Sequence, residues 1–131
     1  MQKAAIIGGG VIGAGWAARF LLHGWQVHFY DPSPAALEVV NRVVKTAACW
    51  VPEIYDHLPP RGELIIAPTL AEAVAEAEWI QESVPERLPI KHATLAEIQA
   101  ACSVGAVIGS STSGFMPSEL QQDALRPAQI L

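Results

Sequence analysis

Three glycines raise the first chemical question. Gly8, Gly10 and Gly13 stand in the run Gly8-Gly9-Gly10-Val11-Ile12-Gly13, between an apolar stretch, Ala4–Ile7, and an Ala-rich segment that includes Ala17. At a spacing of G-x-G-x-x-G, the first glycine turns the chain sharply out of a strand and the second leaves the backbone bare for a diphosphate. The third lets the following helix lie close on the strand. The first helical residues, Val11 and Ile12, then offer backbone N–H groups that lack partners within the helix, at the positive end of its dipole. Asp31 closes the next apolar run, 23 residues after Gly8, near the roughly 20-residue interval at which an acid accepts hydrogen bonds from an adenosine ribose. An acid there repels a 2′-phosphate, and no Arg follows it immediately, so NAD is expected rather than NADP. Two readings stay open beside this one. The glycines can mark only a turn, with Asp31 capping the chain ahead of Pro32, and FAD proteins share the same fingerprint.

Such a site needs a sheet to hold it. Short apolar runs alternate with segments of helical period. Ala4–Ile7, Val27–Tyr30, Leu64–Ala67, Trp79–Val84 and Ala106–Gly109 read as strands, and Val11–His23, Ala35–Ala48, Leu70–Ala77 and Ile90–Ala101 as helices. This order predicts a Rossmann-type α/β fold, a doubly wound parallel sheet with helices on both faces. Pro52, Pro59, Pro60 and Gly62 make 50–62 a surface excursion that no regular helix continues through. The last residues, Arg126-Pro127-Ala128-Gln129-Ile130-Leu131, read as a turn entering another apolar strand.

Two further stretches fall at the carboxyl ends of strands, where open α/β sheets bind their ligands. Glu86 and Lys91 follow the strand ending at Val84, and Ser110-Ser111-Thr112-Ser113 follows the strand ending at Gly109. By residue type alone, Glu86 and Lys91 would look the same as solvated charges flanking a helix start. With the glycine motif, however, the wording IQESVPERLPIKH and GSSTSGFMPSEL resembles the NAD-binding domain of the 3-hydroxyacyl-CoA dehydrogenase family. The resemblance runs over essentially the whole chain and looks closest to the branch that oxidises carnitine. It implies that Glu86 and Lys91 contact the nicotinamide half of NAD, and that Ser113 lies near the nicotinamide and the substrate hydroxyl. It also implies hydride transfer from a secondary alcohol, with a His oriented by a Glu as general base. By the family's spacing that His falls just after Leu131, with the Glu and a helical dimerisation domain further on.

The expectation is therefore one NAD-binding domain, residues 1–131, from the N-terminal part of a longer enzyme. It should bind NAD without turnover, as a monomer, while the full-length protein forms a homodimer. The substrate is carnitine or, alternatively, a 3-hydroxyacyl-CoA such as 3-hydroxybutyryl-CoA. An NAD-sensing module that works alone is a reading of a different class. His23, His28, His57 and His92 read as surface or packing residues rather than bases. Between Ala35 and Glu63, the cations Arg42, Lys45 and Arg61 face the acids Glu38, Glu53, Asp56 and Glu63, a balance that disfavours polyanionic CoA. Trp50 and Tyr55 could offer faces to a quaternary ammonium.

Bulk properties narrow the partners. A formal net charge of −5 without any basic run argues against nucleic acid and against a polybasic membrane contact. The apolar stretch that follows Met1-Gln2-Lys3 is too short for a signal peptide or a membrane span, which points to the cytoplasm. Cys49 and Cys102 lack CxxC spacing and read as buried free thiols, and no metal site is expected.

Overall fold

Residues 1–131 are described by a computed structural model. Five strands, β1 (Lys3–Ile7), β2 (Gln26–Tyr30), β3 (Leu64–Ile66), β4 (Trp79–Glu82) and β5 (Val107–Ser110), alternate with helices α1 (Val11–Leu22), α2 (Ala35–Trp50), α3 (Leu70–Val74) and α4 (Leu88–Ala101). A short α5 (Pro117–Leu120) follows β5. The strands form one sheet in the order β3-β2-β1-β4-β5, and every pairing is parallel. The chain thus winds outward from β1 in one direction, then returns to β1's other side. This reversal between β1 and β4 is the crevice where doubly wound sheets take their ligands.

Alternation along each strand divides the core. Ile6, Val27 and Phe29 point to the face covered by α1 and α2, against Ala14, Ala17, Leu21, Val40 and Val44. Ala5, Ile7, Ile80 and Ile108 point to the other face, against Leu70, Val74, Leu95, Ile98 and Leu120. Each fully buried Leu, Ile, Val or Phe contributes about 1.5–3 kcal/mol of apolar burial. With both faces covered, the central strands have no place for an alternating polar row.

The register brings the functional ends level. Ile7 stands beside both Tyr30 and Glu82, and Glu82 beside Ser110. Gly8, Asp31, Ser83 and Ser111 therefore all leave the sheet from one line.

Several boundaries differ from expectation for local reasons. α4 begins at Leu88 rather than Ile90, because Pro89 fits a first helical turn, where its missing N–H leaves no bond unmade. α2 runs on to Trp50 and tightens into a 3-10 turn over Val51–Glu53 at Pro52. β4 ends at Glu82 rather than Val84, since the Val84 N–H turns back to the Glu82 carboxylate at 2.7 Å. At the final residues, Ile130 forms a parallel bridge with Ile108 on the open edge of β5.

Candidate functional site

The glycine turn is built by steric exclusion. Gly8 has φ of +102°, and a Cβ there would lie 2.6 Å from the Ser83 carbonyl carbon and oxygen, so the turn out of β1 lies directly on the end of β4. A Cβ on Gly13 would come within 1.9 Å of the Gly8 carbonyl oxygen, so only glycine lets α1 approach its own strand. Gly10 differs. A Cβ there would meet nothing within 4 Å, so this glycine serves open space rather than internal packing. α1 starts beside that space with no side-chain cap, which leaves its first N–H groups without a side-chain acceptor. Val11 and Ile12, the first residues of α1, are 71% and 61% exposed.

Asp31 completes this corner. Its Oδ2 accepts the Gly9 N–H at 2.6 Å and its Oδ1 accepts the Ser33 N–H at 2.7 Å. One carboxylate therefore ties the end of β2 to the glycine turn and opens the loop toward α2. Each oxygen has accepting capacity left for a hydroxyl.

A cleft of about 550 Å³ runs along this line from Gly8, Gly9 and Gly10 past Asp31 and Pro32 to Ser83, Val84 and Pro85. Tyr30, Leu70 and Ile90 give it apolar walls, with Thr94 and Glu97, three residues apart on α4, at its rim. The bare backbone at Gly10, the uncapped helix and the acid beside an apolar slot fit a diphosphate joined to an adenosine.

The second corner joins the loops after β4 and β5. Glu86 is exposed, and its Oε1 accepts the Thr112 hydroxyl together with the backbone N–H groups of Ser113 at 3.3 Å and Gly114 at 3.2 Å. These bonds, the Thr112 hydroxyl foremost, hold the Glu86 carboxyl below the usual carboxylate range, and the nearby Lys91 charge acts in the same direction. Ser113 is exposed, and its N–H rather than its hydroxyl is what Glu86 holds.

Lys91 stands in the first turn of α4. It is fully buried, and its ammonium bonds both oxygens of Glu82 at 2.9 and 3.1 Å and the Val84 carbonyl at 3.2 Å. Glu86 Oε2 lies 3.8 Å away. Glu82 was missed in the sequence, where it fell inside the expected strand Trp79–Val84 and was given no role. Its signal was the Lys nine residues on, one crossover away.

Other candidates are held elsewhere, and Cys49 is exposed rather than buried because it falls on the solvent side of α2. The rings of His23, His28 and His92 bond Arg19 O, Gln26 Oε1 and Glu119 O, and no histidine lines the cleft. The Tyr55 hydroxyl accepts from the Arg19 guanidinium at 2.6 Å, which also lies over its ring. No cluster of three or more His, Cys, Asp or Glu side chains could hold a metal ion, and no helix is long and apolar enough to cross a membrane.

Strand order, glycine turn and strand-end acid together define a Rossmann-type dinucleotide-binding domain. The family model described as 3-hydroxyacyl-CoA dehydrogenase, NAD binding domain, matches residues 3–131, and the chain belongs to this family. Among curated relatives, it is 57% identical over 132 residues to an L-carnitine dehydrogenase/betainyl-CoA thioesterase of Ruegeria pomeroyi, covering 100% of this chain and 27% of that protein. It is 52% identical over 122 residues to an L-carnitine dehydrogenase of Mesorhizobium japonicum, covering 92% and 34% respectively. The chain thus spans about a quarter to a third of these relatives' length. Among solved structures, FHMPC 5-dehydrogenase, described as an NAD+ dependent dismutase, superposes with a TM-score of 0.88 at 30% identity, over 99% of this chain and 43% of that one. The 3-hydroxybutyryl-CoA dehydrogenase of Escherichia coli shares the fold, with a TM-score of 0.74 at 24% identity over 98% and 28%.

Proposed function

We propose that this chain is the cofactor domain of a dehydrogenase that oxidises the secondary alcohol of L-carnitine with NAD. What carries the substrate is the pair of relatives named L-carnitine dehydrogenase, at 57% and 52% identity across nearly the whole chain. Bound NAD supplies the hydride acceptor for an alcohol carbon. The backbone N–H groups after Gly10 take the diphosphate, and the Asp31 carboxylate takes the adenosine ribose hydroxyls and excludes a 2′-phosphate. Glu86 and the loop it holds form the wall for the nicotinamide end, with the Ser113 hydroxyl left toward the reacting groups. The alcohol proton goes to the histidine that the family resemblance places outside residues 1–131. The domain alone binds NAD as a monomer without turnover, and the full-length protein is a cytoplasmic homodimer.

The test is NAD reduction by the full-length protein with L-carnitine or with 3-hydroxybutyryl-CoA as substrate. Preference for L-carnitine supports the proposal, and preference for the CoA ester moves the protein to the acyl-CoA branch.

A further inference from the structure

Two charged side chains without access to solvent lie behind the wall between β4 and β5. Glu82, the last residue of β4, and Lys91, in the first turns of α4, are both 0% exposed. The Glu82 carboxylate accepts both bonds from Lys91, the Ser110 hydroxyl and the Val84 N–H, while its backbone carbonyl accepts the Ser111 N–H at 2.8 Å. No buried polar side-chain atom is left unpaired.

Such a pair is a weak source of stability, because each ion gives up its hydration, and an apolar pair of similar volume usually does as well. Its placement is more informative. Val84, which lines the cleft, is gripped at both ends of its backbone, its N–H by Glu82 and its carbonyl by Lys91. The three N–H directions of Lys91 are thereby committed to protein acceptors, so it acts from behind the wall. Its charge lies 3.8 Å from Glu86 Oε2, while Glu86 Oε1 holds the Thr112, Ser113 and Gly114 loop. With both charges removed, the Val84 carbonyl loses its donor and Glu86 Oε2 loses the cation 3.8 Å away, so Glu86 and the loop on its Oε1 are held less firmly.

We infer that Glu82 is a positioning residue. Through Lys91 it sets Glu86 and the Ser113 loop for the nicotinamide half of the dinucleotide without touching it. This rests on the NAD reading above and names a residue that reading does not use.

Glu82→Gln alone leaves a buried ammonium without its counter-charge, so the decisive variant is the double substitution Glu82→Gln/Lys91→Met, neutral and of similar volume. ADP and NADH are titrated by calorimetry into the wild-type chain and the double variant, and amide hydrogen exchange is followed in both without ligand. The expected result is an ADP Kd within about twofold of wild type, with the NADH Kd raised about tenfold. The Ser113 and Gly114 amides should exchange about tenfold faster. Parallel weakening of both ligands marks a structural role only and overturns the inference, as does unchanged NADH affinity or unchanged exchange at Ser113 and Gly114. A wild-type chain that binds neither ligand overturns the dinucleotide reading itself, and this inference with it.

Discussion

The carboxylate of Asp31 accepts the backbone N–H of Gly9 at 2.6 Å, so the acid that ends β2 is bonded to the middle of the turn that ends β1. Two features that the fingerprint treats as separate ligand contacts are thus one braced corner. Asp31→Asn keeps one acceptor oxygen and removes the charge. It should weaken NAD binding by about 1–3 kcal/mol, the range for a lost hydrogen bond to a charged group, and narrow the preference over NADP. Calorimetry with both nucleotides checks this, and unchanged affinity for both would remove Asp31 from the site.

Gly10 and Gly13 should separate binding from folding. Gly10→Ala adds a methyl where nothing lies within 4 Å, so its denaturation midpoint should match wild type while NAD affinity drops about tenfold, about 1.4 kcal/mol. Gly13→Ala places a methyl 1.9 Å from the Gly8 carbonyl oxygen and should destabilise the fold by about 1–3 kcal/mol, as overpacking does. Urea unfolding beside NAD titration distinguishes the two. Equal loss of stability in both variants would contradict the assignment of Gly10 to ligand space.

Much of this corner was legible in the sequence because strand, turn and helix are contiguous there, so G-x-G-x-x-G and Asp31 specify it locally. The alternation of apolar runs likewise led to the parallel sheet, in which the short run at Leu64 pairs with β2 as β3. Non-local pairings were not legible. Glu82 and Lys91 meet only because a crossover returns α4 over β4, and the cleft residues Tyr30, Leu70 and Thr94 converge from three separate elements. The placement of Lys91 illustrates the limit. Its five-residue spacing from Glu86 was visible, but its burial depends on a carboxylate four residues before Glu86, on the strand itself.

Glu86 should titrate below its ordinary value of 4.5, because the Thr112 hydroxyl and two backbone N–H groups bond its ionised form. A depressed carboxyl stabilises the folded loop above the unfolded value, and this contribution is lost as pH falls through the folded value. The loop from Thr112 to Gly114 should therefore loosen only in acid, below 4.5. In Thr112→Val the Glu86 midpoint should move back toward that ordinary value. NMR titration of the Glu86 side-chain carboxyl carbon measures both midpoints, and a wild-type midpoint at or above 4.5 would contradict the bonding described.

The most direct test of the central claim is calorimetric titration of the 131-residue chain with NAD and, separately, with NADP. Saturable binding of NAD, with NADP weaker by about tenfold or more, is the predicted result. Equal binding of the two would contradict the role of Asp31, and binding of neither would contradict the assignment of the glycine corner to a dinucleotide.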